Sequence, residues 1–91
     1  RVAMMGGLAQ GTTQTVAEKS SLEPYPTELV SVEDHVQALV SRFNDYTVKL
    51  RQAMEAADEA GDEDTADLLT EVSRNAEKDA WFIGSNSAKA A

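Results

Sequence analysis

Apolar residues that recur at steps of three and four constrain this sequence most, because such steps place side chains on one face of an α-helix. One run predicts a helix over residues 31–60, and a second predicts a helix over residues 62–87. The apolar members of the first are Val32, Val36, Leu39, Phe43, Tyr46, Leu50, Ala53 and Ala57, and those of the second are Ala66, Leu69, Val72, Ala76, Ala80 and Ile83. No stretch alternates as a strand would. The chain is therefore predicted to be all-α, with a helical hairpin that makes half of a four-helix bundle.

Local signals at the helix ends support this hairpin. Ser31 stands where the first long helix begins and resembles the start of a capping box. Gly61 ends that helix, and the acids that follow from Asp62 suit the positive end of the next helix dipole. Gly84 marks the end of the second helix, and the tail after it is predicted to be mobile.

An apolar turn precedes Gly6 at the start of the chain. It resembles the last turn of a helix closed by a glycine with left-handed backbone. A single turn is not stable as a helix by itself. We therefore interpret residues 1–5 as the end of the second bundle helix, whose earlier turns lie outside this chain.

Residues 6–30 are predicted to form a crossover between long helices. A short helix fits inside the crossover, with Thr13 or Thr15 as its N-cap. Pro24 and Pro26 cannot continue that helix, because each lacks an N–H and restricts the residue before it. Connections of this length in compact domains are usually functional or packed against the fold.

The length and the absence of cysteine limit how this chain can be stabilised. A chain of 91 residues buries only ~60–65% of the surface that its unfolded form exposes. It contains no cysteine, so neither a disulfide nor a thiolate metal site can add stability. Stability is therefore expected to depend on a partner surface. A cysteine-free chain fits a reducing compartment without proving one. We expect a cytoplasmic protein, with association with the nucleoid left open.

The charge balance is strongly acidic, with 16 Asp and Glu against 8 Lys and Arg and a net charge of -8. This composition disfavours a nucleic-acid binder, which needs clustered cations to displace counterions from phosphates. It suits a surface that attracts cations, or one that is only well solvated. No stretch approaches the ~20 apolar residues of a membrane span, and the glycine-broken run at the N-terminus is not a signal peptide.

Several motifs, in order and across essentially the whole chain, resemble the Dps-type mini-ferritins. The motifs are MGGLAQGTTQ at 5–14, EPYP at 23–26, DHV at 34–36, GDEDTADLLTE at 61–71, SR at 73–74, Lys78, and WFI at 81–83. The resemblance implies a ferritin-like four-helix bundle in which this chain is the C-terminal half of the subunit. Its partners would be the N-terminal half of the same subunit and further copies in a twelve-subunit shell.

The resemblance also implies a chemistry. Members of the family bind ferrous iron, oxidise it, preferentially with hydrogen peroxide, and store ferric mineral, and many protect DNA. Their oxidation site lies between two subunits, and its His, Asp and Glu ligands come from the first two bundle helices. No position of this chain matches those ligands, so no catalytic residue is expected in it.

The most acidic part of the chain is the predicted hairpin turn. Its seven acids within thirteen residues are Glu55, Asp58, Glu59, Asp62, Glu63, Asp64 and Asp67. Asp67 and Glu71 are one helical turn apart and share a face. Carboxylates in this pattern suit hard cations, but they also suit a capped and solvated helix start. The resemblance implies the first use, with Asp62, Asp67 and Glu71 lining an iron-entry pore.

Two other side chains have functional and structural interpretations. His35, the one histidine, could bind a metal weakly, but a polar-surface or helix-packing role fits it better, because adjacent residues do not face one another. Trp81 could serve a redox centre, but large aromatic side chains more often pack in cores and interfaces. Packing is therefore expected for both residues.

Three hypotheses about function remain. The preferred one is the iron-handling shell, in which this segment supplies the entry pore and the bundle wall. The second is a helical-hairpin interaction module without metal chemistry. The third is a shell that mainly coats DNA, which the acidic balance and the single tail cation, Lys89, disfavour.

Overall fold

The computed structural model describes residues 1–87, and in that range all of the regular secondary structure is helical. The elements are a 3-10 helix at Ala3–Met5, α1 at Thr13–Lys19, α2 at Val32–Glu59 and α3 at Glu63–Gly84. The predicted all-α class is confirmed for the described residues. None of the helices in residues 1–87 is long and apolar enough to cross a membrane. The predicted mobile tail with Lys89 lies outside the described residues.

A side chain caps the N-terminus of each of the three α-helices. The Ser31 hydroxyl accepts a hydrogen bond from the Asp34 amide at 3.1 Å, which satisfies one free donor of the first turn of α2. In α1 the cap is Thr12, which accepts from the Thr15 amide at 3.2 Å. The expected cap at Thr13 or Thr15 is wrong, because both lie inside the helix while Thr12 keeps an extended backbone.

Gly61 reverses the chain between α2 and α3. Its φ is +75°, a left-handed conformation that glycine adopts without the clash of a Cβ atom. The Gly61 amide donates to the Asp58 carbonyl at 3.0 Å, and the Asp62 amide donates to the Ala57 carbonyl at 2.9 Å. This pair of bonds is a Schellman motif, which closes the last turn of α2.

The two long helices pack against each other along their length and form the core of the chain. Val36 and Leu50 on α2 and Ser73 and Ala76 on α3 are buried. An ion pair between Arg51 and Glu77 at 2.8 Å also joins the helices, although it is too exposed to stabilise them much.

Part of the apolar stripe predicted for α2 is not covered in this chain. Val32 is 75% exposed and Ala53 is exposed. The C-terminal end of α3 contacts α2 near Glu33 and Val40, through Ser87 and Gly84. Val32 points ~100° away from Glu33 on the helix, so α3 cannot cover it. Burial of these residues requires a further surface.

The turn gives a test with an internal control. Gly61→Ala should lower the free energy of unfolding by about 1 kcal/mol, because alanine resists the left-handed backbone. Gly84→Ala should not destabilise, because a Cβ atom there would be 3.7 Å from Val40, an ordinary contact, and alanine favours helix. Denaturant unfolding of both variants measures this, and equal destabilisation would contradict it.

Candidate functional site

The three predicted pore acids occupy different positions in the hairpin. Asp62 lies in the turn and is the N-cap of α3. Asp67 and Glu71 follow on the helix, both exposed and one turn apart on the same face. No group of three or more His, Cys, Asp or Glu side chains within residues 1–87 is placed to hold a metal ion. A single copy of the described chain therefore does not bring these acids together as a metal site.

Asp62 has a set of hydrogen bonds that the other two acids lack. Its Oδ1 accepts from the Thr65 amide at 3.2 Å and from Nη2 of Arg1 at 2.7 Å. Its Oδ2 accepts from the Thr65 hydroxyl, and that hydroxyl in turn accepts from Nε of Arg1 at 3.3 Å. The three side chains form a closed cluster that joins the N-terminus of the chain to the start of α3.

The same bonds set the ionisation of Asp62. The hydrogen bond from the Thr65 hydroxyl, followed by that from Arg1, lowers the pKa of Asp62 from 3.8 to about 2. The pKa of Arg1 is raised in return, chiefly by its hydrogen bond to Asp62. Asp62 is thus charged at neutral pH, and Arg1 offsets part of that charge.

Sequence reasoning did not identify Arg1 and Thr65 as members of this cluster. Thr65 had a local signal, since it stands three residues after an N-cap, at the position that a capping box uses. Arg1 had none, because it is 61 positions from Asp62 and only the fold brings the two together.

The remaining acids of the turn are exposed to solvent. They are Glu55, Asp58, Glu59, Glu63 and Asp64. Arg1 approaches Asp64 at 3.9 Å, a weak contact because the Asp64 side chain is 83% exposed. The turn therefore keeps a negative surface potential that attracts cations.

Both ring nitrogens of His35 are occupied. Nε2 lies 3.1 Å from the Leu29 carbonyl, which can only accept, so Nε2 carries a proton. Nδ1 shares a hydrogen bond with the Tyr25 hydroxyl at 2.5 Å. His35 holds the crossover against α2 and has no free nitrogen for a metal, which agrees with the packing role expected for it.

The aromatic pair near the end of α3 lies on the surface of the described chain. Trp81 is 67% exposed and Phe82 is 50% exposed, with their ring centroids 5.1 Å apart. The Lys78 ammonium lies 5.7 Å from the centre of the Phe82 ring. The prediction that Trp81 packs in a core is therefore wrong within the described chain. Its packing at an interface stays a prediction.

Comparison with known proteins gives one consistent result. The family model described as a ferritin-like domain matches residues 1–90. The chain is 40% identical over 83 residues to the DNA protection during starvation protein of Agrobacterium fabrum, which is 91% of this chain and 51% of that protein. It is 34% identical over 83 residues to the protein of the same name from Brevibacillus brevis, again 91% of this chain and 55% of that protein.

A third relative is General stress protein 20U of Bacillus subtilis, 31% identical over 86 residues. That match covers 91% of this chain and 57% of the relative. The chain thus spans about half the length of the curated relatives it matches.

The stability that the Asp62 cluster contributes should fall at acid pH. Because its pKa of about 2 lies below the ordinary value of 3.8, Asp62 contributes stability above about pH 4 that is lost as the pH falls toward 2. Thr65→Val removes the largest cause of the shift, so its acid unfolding should begin at a higher pH. Thr65→Ser keeps a hydroxyl and should follow the parent. Acid titrations monitored by circular dichroism compare the two, and identical curves would count against the cluster.

Proposed function

We propose a function from one premise: the chain belongs to the ferritin-like family, as a Dps-type mini-ferritin. The function is that of a shell that takes up ferrous iron, oxidises and stores it, and thereby protects DNA under oxidative stress. The family relation supports iron storage and DNA protection in general. The assignment of particular steps to this chain is our proposal.

In this proposal the acids at the start of α3 line the route by which iron enters the shell. The observation that carries it is the acidic face at the start of α3, where Asp67 and Glu71 are exposed and Asp62 is ionised. Three copies around a threefold axis would bring nine acids to one opening. Carboxylate rings between low-dielectric walls focus the field and concentrate hard cations. Iron is thus a transient substrate of this surface.

The oxidation chemistry is assigned to the partner half of the subunit. Ferrous iron oxidation needs several converging ligands. His35 is the one histidine of the chain, and both its nitrogens are engaged with the crossover. In this proposal the present chain contributes the iron-entry pore and its part of the bundle wall, and the partner half contributes the oxidation site.

Exposed apolar side chains support assembly with that partner half and with further copies. They include Met4 at 80%, Leu8 at 79%, Val32 at 75% and Trp81 at 67% exposure. A hairpin covers only one side of each of its helices, so a four-helix bundle would bury the remaining faces. We propose the twelve-subunit shell of the family as the final assembly.

DNA protection is proposed to act through iron removal more than through direct binding. The chain has a net charge of -8, and contact with phosphates requires cations. We propose a cytoplasmic location, as for Dps proteins in general. A free-standing interaction module is the weaker hypothesis, because the ferritin-like match extends over residues 1–90.

Neutralising the proposed pore should slow iron entry into the assembled shell. The triple variant Asp62→Asn, Asp67→Asn, Glu71→Gln keeps nearly the same shape and removes the field, so uptake should fall several-fold at low salt. The difference should shrink at high salt, where charges are screened. Stopped-flow measurement of iron uptake at two salt concentrations tests this.

A matched control removes three acids from the other side of the same turn. The variant Glu55→Gln, Asp58→Asn, Glu59→Gln changes the net charge equally but leaves α3 unaltered. It should retain most of the uptake rate. Equal slowing by both variants would show that overall charge matters rather than a pore, and no slowing by the first would show that iron enters elsewhere.

The division of labour predicts that this chain alone is not a ferroxidase. Mixed with ferrous iron and hydrogen peroxide, it should oxidise iron no faster than buffer, because its one histidine is engaged. Absorbance of ferric products over time gives the rate. The shell assembled from complete subunits is the positive control. Saturable oxidation by the isolated chain would place the site within residues 1–91 and contradict the proposal.

A further inference from the structure

Three side chains of α2 at seven-residue spacing bind the crossover through its main-chain carbonyls. The bonds are His35 Nε2 to Leu29 O at 3.1 Å, Arg42 Nη2 to Pro24 O at 2.6 Å, and Lys49 Nζ to Ser21 O at 3.1 Å. Seven residues are close to two helical turns, so the three donors lie on one side of α2. The acceptors run in the opposite order, which shows that residues 21–29 lie antiparallel to α2.

Residues 21–29 are long enough to reach all three donors. The three donors span fourteen residues of helix, or ~21 Å at 1.5 Å per residue. The eight steps between Ser21 and Leu29 reach at most ~29 Å when extended. The segment bends at Leu22, Thr27 and Glu28 and still reaches all three donors.

Residues 21–29 have few other attachments. Among the described residues, no backbone–backbone hydrogen bond involves this segment. Its members are exposed apart from Leu22, Pro26 and Leu29, which are half-buried. Side chains of α2 thus provide most of the polar contacts that hold the segment, and hydrogen bonds from charged donors are stronger than neutral ones.

Tyr25 connects two of the three donors. Its hydroxyl bonds Nδ1 of His35, and its ring lies under the Arg42 guanidinium, 5.8 Å from the ring centre. The Arg42 Nε is shielded from solvent and has no hydrogen-bond partner within residues 1–87. The segment therefore covers the guanidinium, and displacing Tyr25 would disturb both contacts together.

We infer that residues 21–29 form a strap that His35, Arg42 and Lys49 fasten to α2, and that the strap opens as one unit while the α2–α3 hairpin stays folded. Locally opening units of this kind have lower opening free energies than the global unfolding of the protein. Leu22 of the strap and Arg42, Phe43 and Tyr46 of α2 line an open groove of about 260 Å³, so opening would remove Leu22 from the groove and expose Phe43 and Tyr46 further. This device is independent of the proposed iron pore.

The test measures opening in the assembled protein made from complete subunits. A protease that cleaves after glutamate is added under native conditions, and cleavage at Glu28 in the strap is followed by mass spectrometry. Glu23 is protected because Pro24 follows it. When opening and closing are fast relative to cleavage, the cleavage rate reports the population of the open form.

Arg42→Met and Lys49→Met should each speed cleavage at Glu28 about tenfold, as expected for the loss of one charge-assisted hydrogen bond. His35→Gln should also speed it. The matched control is Arg51→Met, which removes a cation of α2 that contacts Glu77 on α3 and not the strap. The protease should cleave this control variant at the same rate as the parent.

Lys49→Met gives the decisive result, because Lys49 binds the far end of the strap, seven residues from Glu28. Faster cleavage at Glu28 supports opening as one unit, and an unchanged rate overturns it. Equal acceleration by Arg51→Met, or loss of helical circular dichroism before cleavage, also overturns it. If Arg42→Met does not assemble, Arg42→Lys is used in its place, because lysine keeps the charge but lacks the planar guanidinium. The protease should cleave Arg42→Lys faster than the parent.

Discussion

The left-handed turn at Gly61 is the constraint on which the rest of the structure depends. It ends α2 with a Schellman motif and directs α3 back along α2. The same reversal places Asp62 at the first turn of α3, where its side chain caps the helix. Helix packing and the acidic surface at the hairpin therefore follow from one backbone conformation.

Much of the fold could be predicted because its determinants are local. The three- and four-residue periodicity gave helices over 31–60 and 62–87, and the structure has them at Val32–Glu59 and Glu63–Gly84. Ser31 correctly marked the start of α2, and Gly61 correctly marked its end. The all-α class follows from these signals.

The parts that failed depend on geometry that a sequence does not show. Val32 has the right periodicity for the buried stripe, but α3 contacts a different side of that turn. Arg1 binds Asp62 across 61 positions, and Thr12 takes the cap where several threonines compete. The acids of the candidate pore were recognised by resemblance, whereas the engagement of Asp62 by Arg1 and Thr65 appears only in the folded chain.

Asp62 combines two requirements that few residue types satisfy together. Capping needs a short side chain with an acceptor oxygen, which asparagine and serine also offer. A contribution to the negative surface needs a charge, which glutamate also offers, although glutamate is not among the preferred caps. Aspartate alone meets both requirements, so this position, whose side chain is 15% exposed, should tolerate far fewer replacements than the neighbouring acids of the turn.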